Sequence, residues 1–231
     1  SVHRHSKSVV AVRMWSARTI NSECGNSEGK LSAHMADGNV AIYVDGLEYY
    51  DFFPCWDYHQ LPGTTAAQPG YAITCSNAGI PGASTFVGGL ADGTYGVSAF
   101  DFVEKKSGLK GMRYWFWLSD SGEFLMLGSD ISWPLSAGTI ATTTLNHCRK
   151  SGSVFSSSSP SIPLASGNTT EKLASESHRW VHHRNVGYVS ISNNGDQMKV
   201  AIELGKTCKW NDIGYASTVT SNQDSFAVRM V

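Results

Sequence analysis

Carboxylates, imidazoles and aromatic rings are spread thinly along this chain, and only a few stretches bring them close enough to act together. The densest runs from Glu48 to Thr65. It holds Tyr49, Tyr50, Phe52, Phe53, Trp56 and Tyr58 beside Asp51, Asp57 and His59, with Pro54 and Pro62 as turn formers. It shows neither helical nor strand periodicity, and connections that carry such side chains on a rigid scaffold often line a site. The plainer alternative is an aromatic satellite core beneath a long loop. A second stretch, Ser22-Glu23-Cys24-Gly25-Asn26-Ser27-Glu28-Gly29, sets an acid and an amide in a glycine-containing turn. Side chains there cap their own backbone by default. A hydrolase would draw two carboxylates from Glu23, Glu28, Asp51 and Asp57, but glycosidases need them ~5–10 Å apart with one pKa raised. That is the weakest of three functional readings. His3 and His5 would share one face of a strand, yet no third ligand is evident, and solvated histidines are the simpler account. Asp51 and Asp57 are too few for a hard-cation cage. No metal and no cofactor is expected. Trp180-Val181-His182-His183-Arg184 sets imidazole and guanidinium beside an indole, a surface suited to an acidic sugar and equally to a structural role.

The elements that must position these groups are strands. Val10, Val12 and Met14 alternate with Ala11, Arg13 and Trp15, and Val40, Ile42 and Val44 with Ala41, Tyr43 and Asp45. The habit returns in residues 95–103, 112–118, 124–127, 139–145, 186–191, 198–204 and 226–231. Turn signals such as Ala36-Asp37-Gly38-Asn39, Ala91-Asp92-Gly93, Asp120-Ser121-Gly122-Glu123 and Asn193-Asn194-Gly195-Asp196 separate these runs. No stripe at i, i+3, i+4, i+7 is sustained. The chain therefore reads as all-β, a large antiparallel sandwich of two packed sheets with few or no helices. Ser151 to Ser166 is rich in serine and proline and reads as an exposed loop within one domain, residues 1–231. The abrupt ends read as those of a segment of something larger.

Composition narrows the partners. Lys and Arg total 18 against 19 Asp and Glu, a net charge of −1, so no global field draws in nucleic acid or an anionic membrane. No run approaches the roughly 18 apolar residues of a membrane span, and Ser1 to His5 lack the apolar stretch of a signal peptide. The five cysteines, Cys24, Cys55, Cys75, Cys148 and Cys208, form no C-x-x-C pair. Isolated buried thiols are the expectation, and the odd count excludes complete internal pairing. The sequon Asn168-Thr169-Thr170 decides nothing.

Several segments, in order, resemble the central β domain of the family-8 polysaccharide lyases, the hyaluronate, chondroitin and xanthan lyases. They include Met14-Trp15-Ser16-Ala17-Arg18-Thr19, Ser22 to Gly29, Trp56 with Leu61-Pro62-Gly63-Thr64-Thr65, Phe86-Val87-Gly88-Gly89, Tyr114-Trp115-Phe116, Leu127-Gly128-Ser129-Asp130-Ile131, Trp180-Val181-His182-His183 and Val186-Gly187-Tyr188. The match covers nearly the whole chain. It implies a super-β-sandwich of galactose mutarotase-like architecture, set between an N-terminal helical toroid and a C-terminal β domain that this chain lacks. It implies a secreted enzyme that cleaves acidic polysaccharide by β-elimination. The uronate carboxylate is neutralised, the C5 proton becomes acidic, and a tyrosine takes it and returns it to the leaving oxygen.

The family's catalytic Tyr, His, Asn and main Arg belong to the toroid, so the isolated chain is expected to be inactive. The resemblance leaves this chain one wall of the cleft. An acid in an S-E-x-G-N-type motif completes the catalytic group in the chondroitin branch, and it maps onto Glu23, with Asn26 as a sugar contact. Arg18 and Trp56 join Asn26 as expected substrate-binding residues. Glu23 would orient the toroid's arginine through a charge-assisted bond. The resemblance places no catalytic pair at Tyr58-His59. The rival from another class is a sandwich that binds carbohydrate, or only supports structure, without chemistry.

Overall fold

A computed structural model describes residues 1–118, 122–134, 138–158, 169–172, 179–191, 196–214 and 218–231. In chain order, the first strands are β1 (Val2–Arg4), β2 (Val9–Arg13), β3 (Asn39–Tyr43) and β4 (Thr65–Gln68). Then come β5 (Val87–Ala91), β6 (Gly96–Val103), β7 (Lys110–Leu118), β8 (Glu123–Ser132) and β9 (Ile140–Arg149). The last are β10 (Val154–Ser156), β11 (Thr169–Lys172), β12 (Arg179–His183), β13 (Val186–Ser190), β14 (Met198–Lys209) and β15 (Thr220–Met230). Among the described residues, one short helix, α1 (Trp210–Ile213), interrupts the strands, with single 3-10 turns at Ser32–His34, Phe53–Cys55 and Cys75–Asn77.

The strands form four sheets, in the orders β1-β2-β3, β5-β6-β7-β8, β11-β14-β15-β9-β4 and β10-β12-β13. Every described pairing between strands is antiparallel. The all-β, antiparallel expectation therefore holds, with the strands divided among more sheets than two. The alternating residues fall as their period requires. Val10 and Val12 are buried while Arg13 faces out, and Phe100 with Phe102 and Trp115 with Trp117 occupy the inner faces of β6 and β7. One core joins these rings to Val40, Ile42, Val200, Ile202, Phe226 and Val228, so the sheets share their apolar interior.

Periodicity understates the long strands. β14 runs to Lys209 although its second half is polar, with a register shift between Glu203 and Lys206 where the apolar alternation ends. β5 escapes notice because Val87-Gly88-Gly89-Leu90-Ala91 is an exposed sheet edge with almost no inward face. Part of the Ser151–Ser166 loop is also strand. Val154 and Ser156 are buried in β10, which pairs with β12, while residues 159–166 lie outside the described set. Serine is small enough to be buried against a neighbouring strand, so composition alone misleads there. Asn168 of the sequon is likewise outside the described residues.

The cysteines correct the expectation of isolated thiols. Cys24 bonds Cys75 and Cys55 bonds Cys208, which leaves Cys148 as the buried free thiol. The bridged partners lie 51 and 153 residues apart, so only the folded chain brings them together. Burial pushes the Cys148 thiol up to about 12 and keeps it protonated.

Two positions show how tightly the segment after Trp56 is built in. Gly63 has φ of 79°, and a Cβ there would strike the Val40 side chain and the Gly38 carbonyl. Arg113 occupies a core-facing position on β7 and donates to the Thr65 hydroxyl (2.6 Å) and the Gly63 carbonyl (2.7 Å). Desolvation lowers its guanidinium pKa to about 10, which still leaves it charged at neutral pH.

Candidate functional site

Glu23 and Asn26 sit in the long connection between β2 and β3. Gly25 and Glu28 pair across a tight turn, with N–H···O distances of 3.2 and 2.8 Å. The two residues between them have positive φ, 50° at Asn26 and 66° at Ser27, the signature of a type I′ hairpin turn. Asparagine tolerates that region readily; serine does so less well. Gly29 follows with φ of 71°, and a side chain there would run into the Glu23 carbonyl oxygen. That oxygen accepts a hydrogen bond from the Ser32 hydroxyl at 3.2 Å. The Glu23 and Asn26 side chains are exposed. Among the described residues, no ion pair engages the Glu23 carboxylate.

The hairpin leans on two neighbours. Lys30 donates its backbone N–H to Ile213 and its ammonium to the Asn211 carbonyl, and Gly214 lies against Ser27 and Glu28, so α1 backs the turn. On the other side, Asn21 is buried, Cys24 is bridged to Cys75, and Ile20 pairs with Pro81. Arg18 is exposed on the same connection and donates to the Thr85 carbonyl at 2.9 Å. Glu23, Asn26 and Arg18 thus share one continuous, tethered segment.

Trp56 is placed differently. Its indole N–H donates to the His147 carbonyl at 2.7 Å, and its ring meets Tyr49, Phe53 and Tyr58. It packs against the main core and two satellite clusters, one of Ala33, Tyr58, Leu61 and Ile73, the other of Phe52, Cys55 and Cys208. Asp51 is built in as well, its carboxylate accepting from the Trp210 indole and the Gln223 amide. The dense aromatic stretch is therefore largely a satellite core, with the half-buried Trp56 as its hub.

Several of the remaining candidates have internal partners. Tyr58 donates its hydroxyl to the Phe53 carbonyl, and burial raises its pKa. The His59 Nε2–H donates to the Tyr71 carbonyl at 2.6 Å while Nδ1 faces Asp57 at 3.5 Å. The bond to Asp57 raises the imidazole pKa; burial works against the Asp57 carboxylate, but His59 holds it below its ordinary value. His183 is buried in β12, stacks on Phe226 and is pushed down to about 3 by desolvation. His3 stacks on Trp117 in β1, whereas His5 lies beyond that strand and accepts from the Lys7 N–H, so the two do not share a strand face. Among the described residues, no cluster of three or more His, Cys, Asp or Glu is placed to hold a metal ion.

Glu23 and Asn26 are thus an exposed acid and amide three residues apart on a tethered turn. The sequence profile described as "Polysaccharide lyase family 8, super-sandwich domain" matches residues 1–230. The chain belongs to this family. It is 33% identical over 178 residues to the chondroitinase-AC of Pedobacter heparinus, covering 77% of this chain and 24% of that protein. It is 30% identical over 224 residues to the hyaluronate lyase HylA of Cutibacterium acnes, covering 94% and 26%. A chondroitinase AC lyase solved in complex with oligosaccharides superposes with a TM-score of 0.78 at 26% identity, over 99% of this chain and 32% of that one. The chain thus spans about a quarter of the length of these curated relatives. In this lyase domain, the supports of the Glu23 turn escaped sequence reading. Asn21 carries no motif of its own.

Proposed function

We propose that this domain forms one wall of the substrate cleft of a secreted lyase that cleaves an acidic, glycosaminoglycan- or xanthan-type polysaccharide by β-elimination. Glu23 supports catalysis by orienting, through a charge-assisted bond, an arginine supplied by a helical toroid in the same parent chain. Asn26 and Arg18 contact sugar, with the half-buried Trp56 completing the wall. The observation that carries this reading is the exposed Glu23 carboxylate, free of ion pairs among the described residues, on a turn tied down from both sides. A carboxylate so held is preorganised for a cation arriving from outside the domain. The names of the relatives, a chondroitinase and a hyaluronate lyase, support the substrate class. Two disulfides support an oxidising compartment and hence secretion.

The test is Glu23→Gln in the parent lyase, assayed by ultraviolet absorbance of the unsaturated product on chondroitin sulfate, hyaluronan and xanthan. Turnover is expected to fall about 10²-fold with the fold intact; unchanged turnover would remove Glu23 from the site. The isolated chain is expected to release no unsaturated product.

A further inference from the structure

A short exposed turn does not hold its own geometry in water. The Gly25–Glu28 hairpin has a single pair of cross-strand hydrogen bonds and a serine at positive φ, and isolated hairpins are marginal at best. Something else must hold the arm that carries Glu23.

Beside the contacts with α1, two ties flank Glu23 itself, and both end on one small element. The Asn21 side chain is 3% exposed. Its Nδ2 donates to the Ala33 carbonyl (2.9 Å) and the Asn77 carbonyl (2.7 Å), while its Oδ1 accepts from the Ile80 N–H (3.1 Å). Two separate segments, one at Ala33 and one over residues 77–80, are thereby pinned two residues before Glu23. One residue after Glu23, Cys24 is bridged to Cys75. Cys75 and Asn77 belong to the same 3-10 turn, Cys75–Asn77, which Thr74 and Asn77 cap reciprocally. Glu23 therefore hangs between two anchors on one capped turn.

We propose that the turn Cys75–Asn77 is the positioning element for Glu23 and that the Cys24–Cys75 disulfide is its thiol-sensitive clamp. The relevance to catalysis rests on the role of Glu23 given above. The two disulfides differ in accessibility. Cys75 is exposed and Cys24 half-buried, whereas Cys55 and Cys208 are 0% and 6% exposed behind Phe52. A dithiol reductant reaches the first and is shielded from the second. It delivers two electrons and two protons, the Cys24–Cys75 bond breaks to two thiols, and the reductant closes its own disulfide. The arm then loses its covalent tie and keeps only hydrogen bonds, those of Asn21 and of Lys30 to α1 among them, and the sandwich keeps its core and its Cys55–Cys208 bridge.

The whole chain is treated with dithiothreitol, alkylated under native conditions and followed by mass spectrometry and amide hydrogen exchange. Cys24 and Cys75 are expected to be alkylated first. The Gly25 and Glu28 amides should exchange at least tenfold faster while β9, β14 and β15 stay protected, and reoxidation should restore them. The Cys24→Ser/Cys75→Ser variant should reproduce the effect without reductant. Unchanged hairpin exchange would overturn the proposal, as would loss of protection through the strands, which would make the bond a staple of the whole sandwich. Turnover of the parent lyase separates the two ideas. If Glu23→Gln leaves it unchanged while the exchange pattern holds, the clamp stands and the catalytic role of Glu23 falls.

Discussion

Residues 48–65 and residues 22–30 divide the work between them in a way opposite to their appearance. The first concentrates aromatic rings and acids yet spends them internally. Trp56 bridges three apolar clusters, Glu48 accepts the backbone N–H groups of Val44, Asp45 and Gly46, and Asp51 is held by Trp210, Ser221 and Gln223. The second is short, polar and mostly exposed, yet it offers an exposed acid, Glu23, free of ion pairs among the described residues, on a braced turn. The density of costly side chains marks where a loop must be welded to a core. A lone carboxylate on a tethered turn marks where chemistry can be presented. Large apolar surfaces gain most by leaving water, whereas a charge meant for an incoming partner must keep its solvent face until that partner arrives.

Acid should bring out the largest difference. Burial pushes the imidazoles of His147, which lies beneath Phe52 and Trp56, and His183 down to about 3. An unfolded chain titrates near roughly 6.5. Between these values the unfolded state binds protons that the folded state refuses, so stability falls as pH falls through that window. From pH 7.5 to pH 5 the two groups together should remove about 4 kcal/mol. Urea unfolding at the two pH values measures this, and His147→Gln should flatten the dependence; equal stability would show that the imidazoles are hydrated.

Trp56→Ala should cost about 3 kcal/mol, from the lost ring and the unpaired His147 carbonyl. A variant that kept its denaturation midpoint but lost affinity for chondroitin hexasaccharide would reverse the comparison and make Trp56 a sugar contact first. Glu23→Gln should sit at the other extreme, within about 0.5 kcal/mol of the parent, as expected for an exposed side chain. A larger loss would mean that the carboxylate braces its own turn.

Some of this was legible beforehand. Period-two alternation located most long strands, because each inward residue declares itself against its immediate neighbours. Ordered motifs such as Ser22 to Gly29 and Leu61 to Thr65 identified the family, and Asn26 within a glycine-containing stretch announced a turn. Edge strands such as β5 were illegible for the same reason in reverse, since a strand with no buried face has no alternation to show.

The amino-acid order alone determined the all-β class, the antiparallel habit and the family, since these rest on local pattern and collinear motifs. Only the tertiary structure decided which cysteines pair, which arginine is buried, and what braces Glu23. Cys24 meets Cys75 and Asn21 meets Asn77 across more than fifty positions of chain, and Arg113 reaches Gly63 across 50. Such meetings are set by the order of strands in the sheets and by a shared core, and neither is written in the neighbours of any one residue.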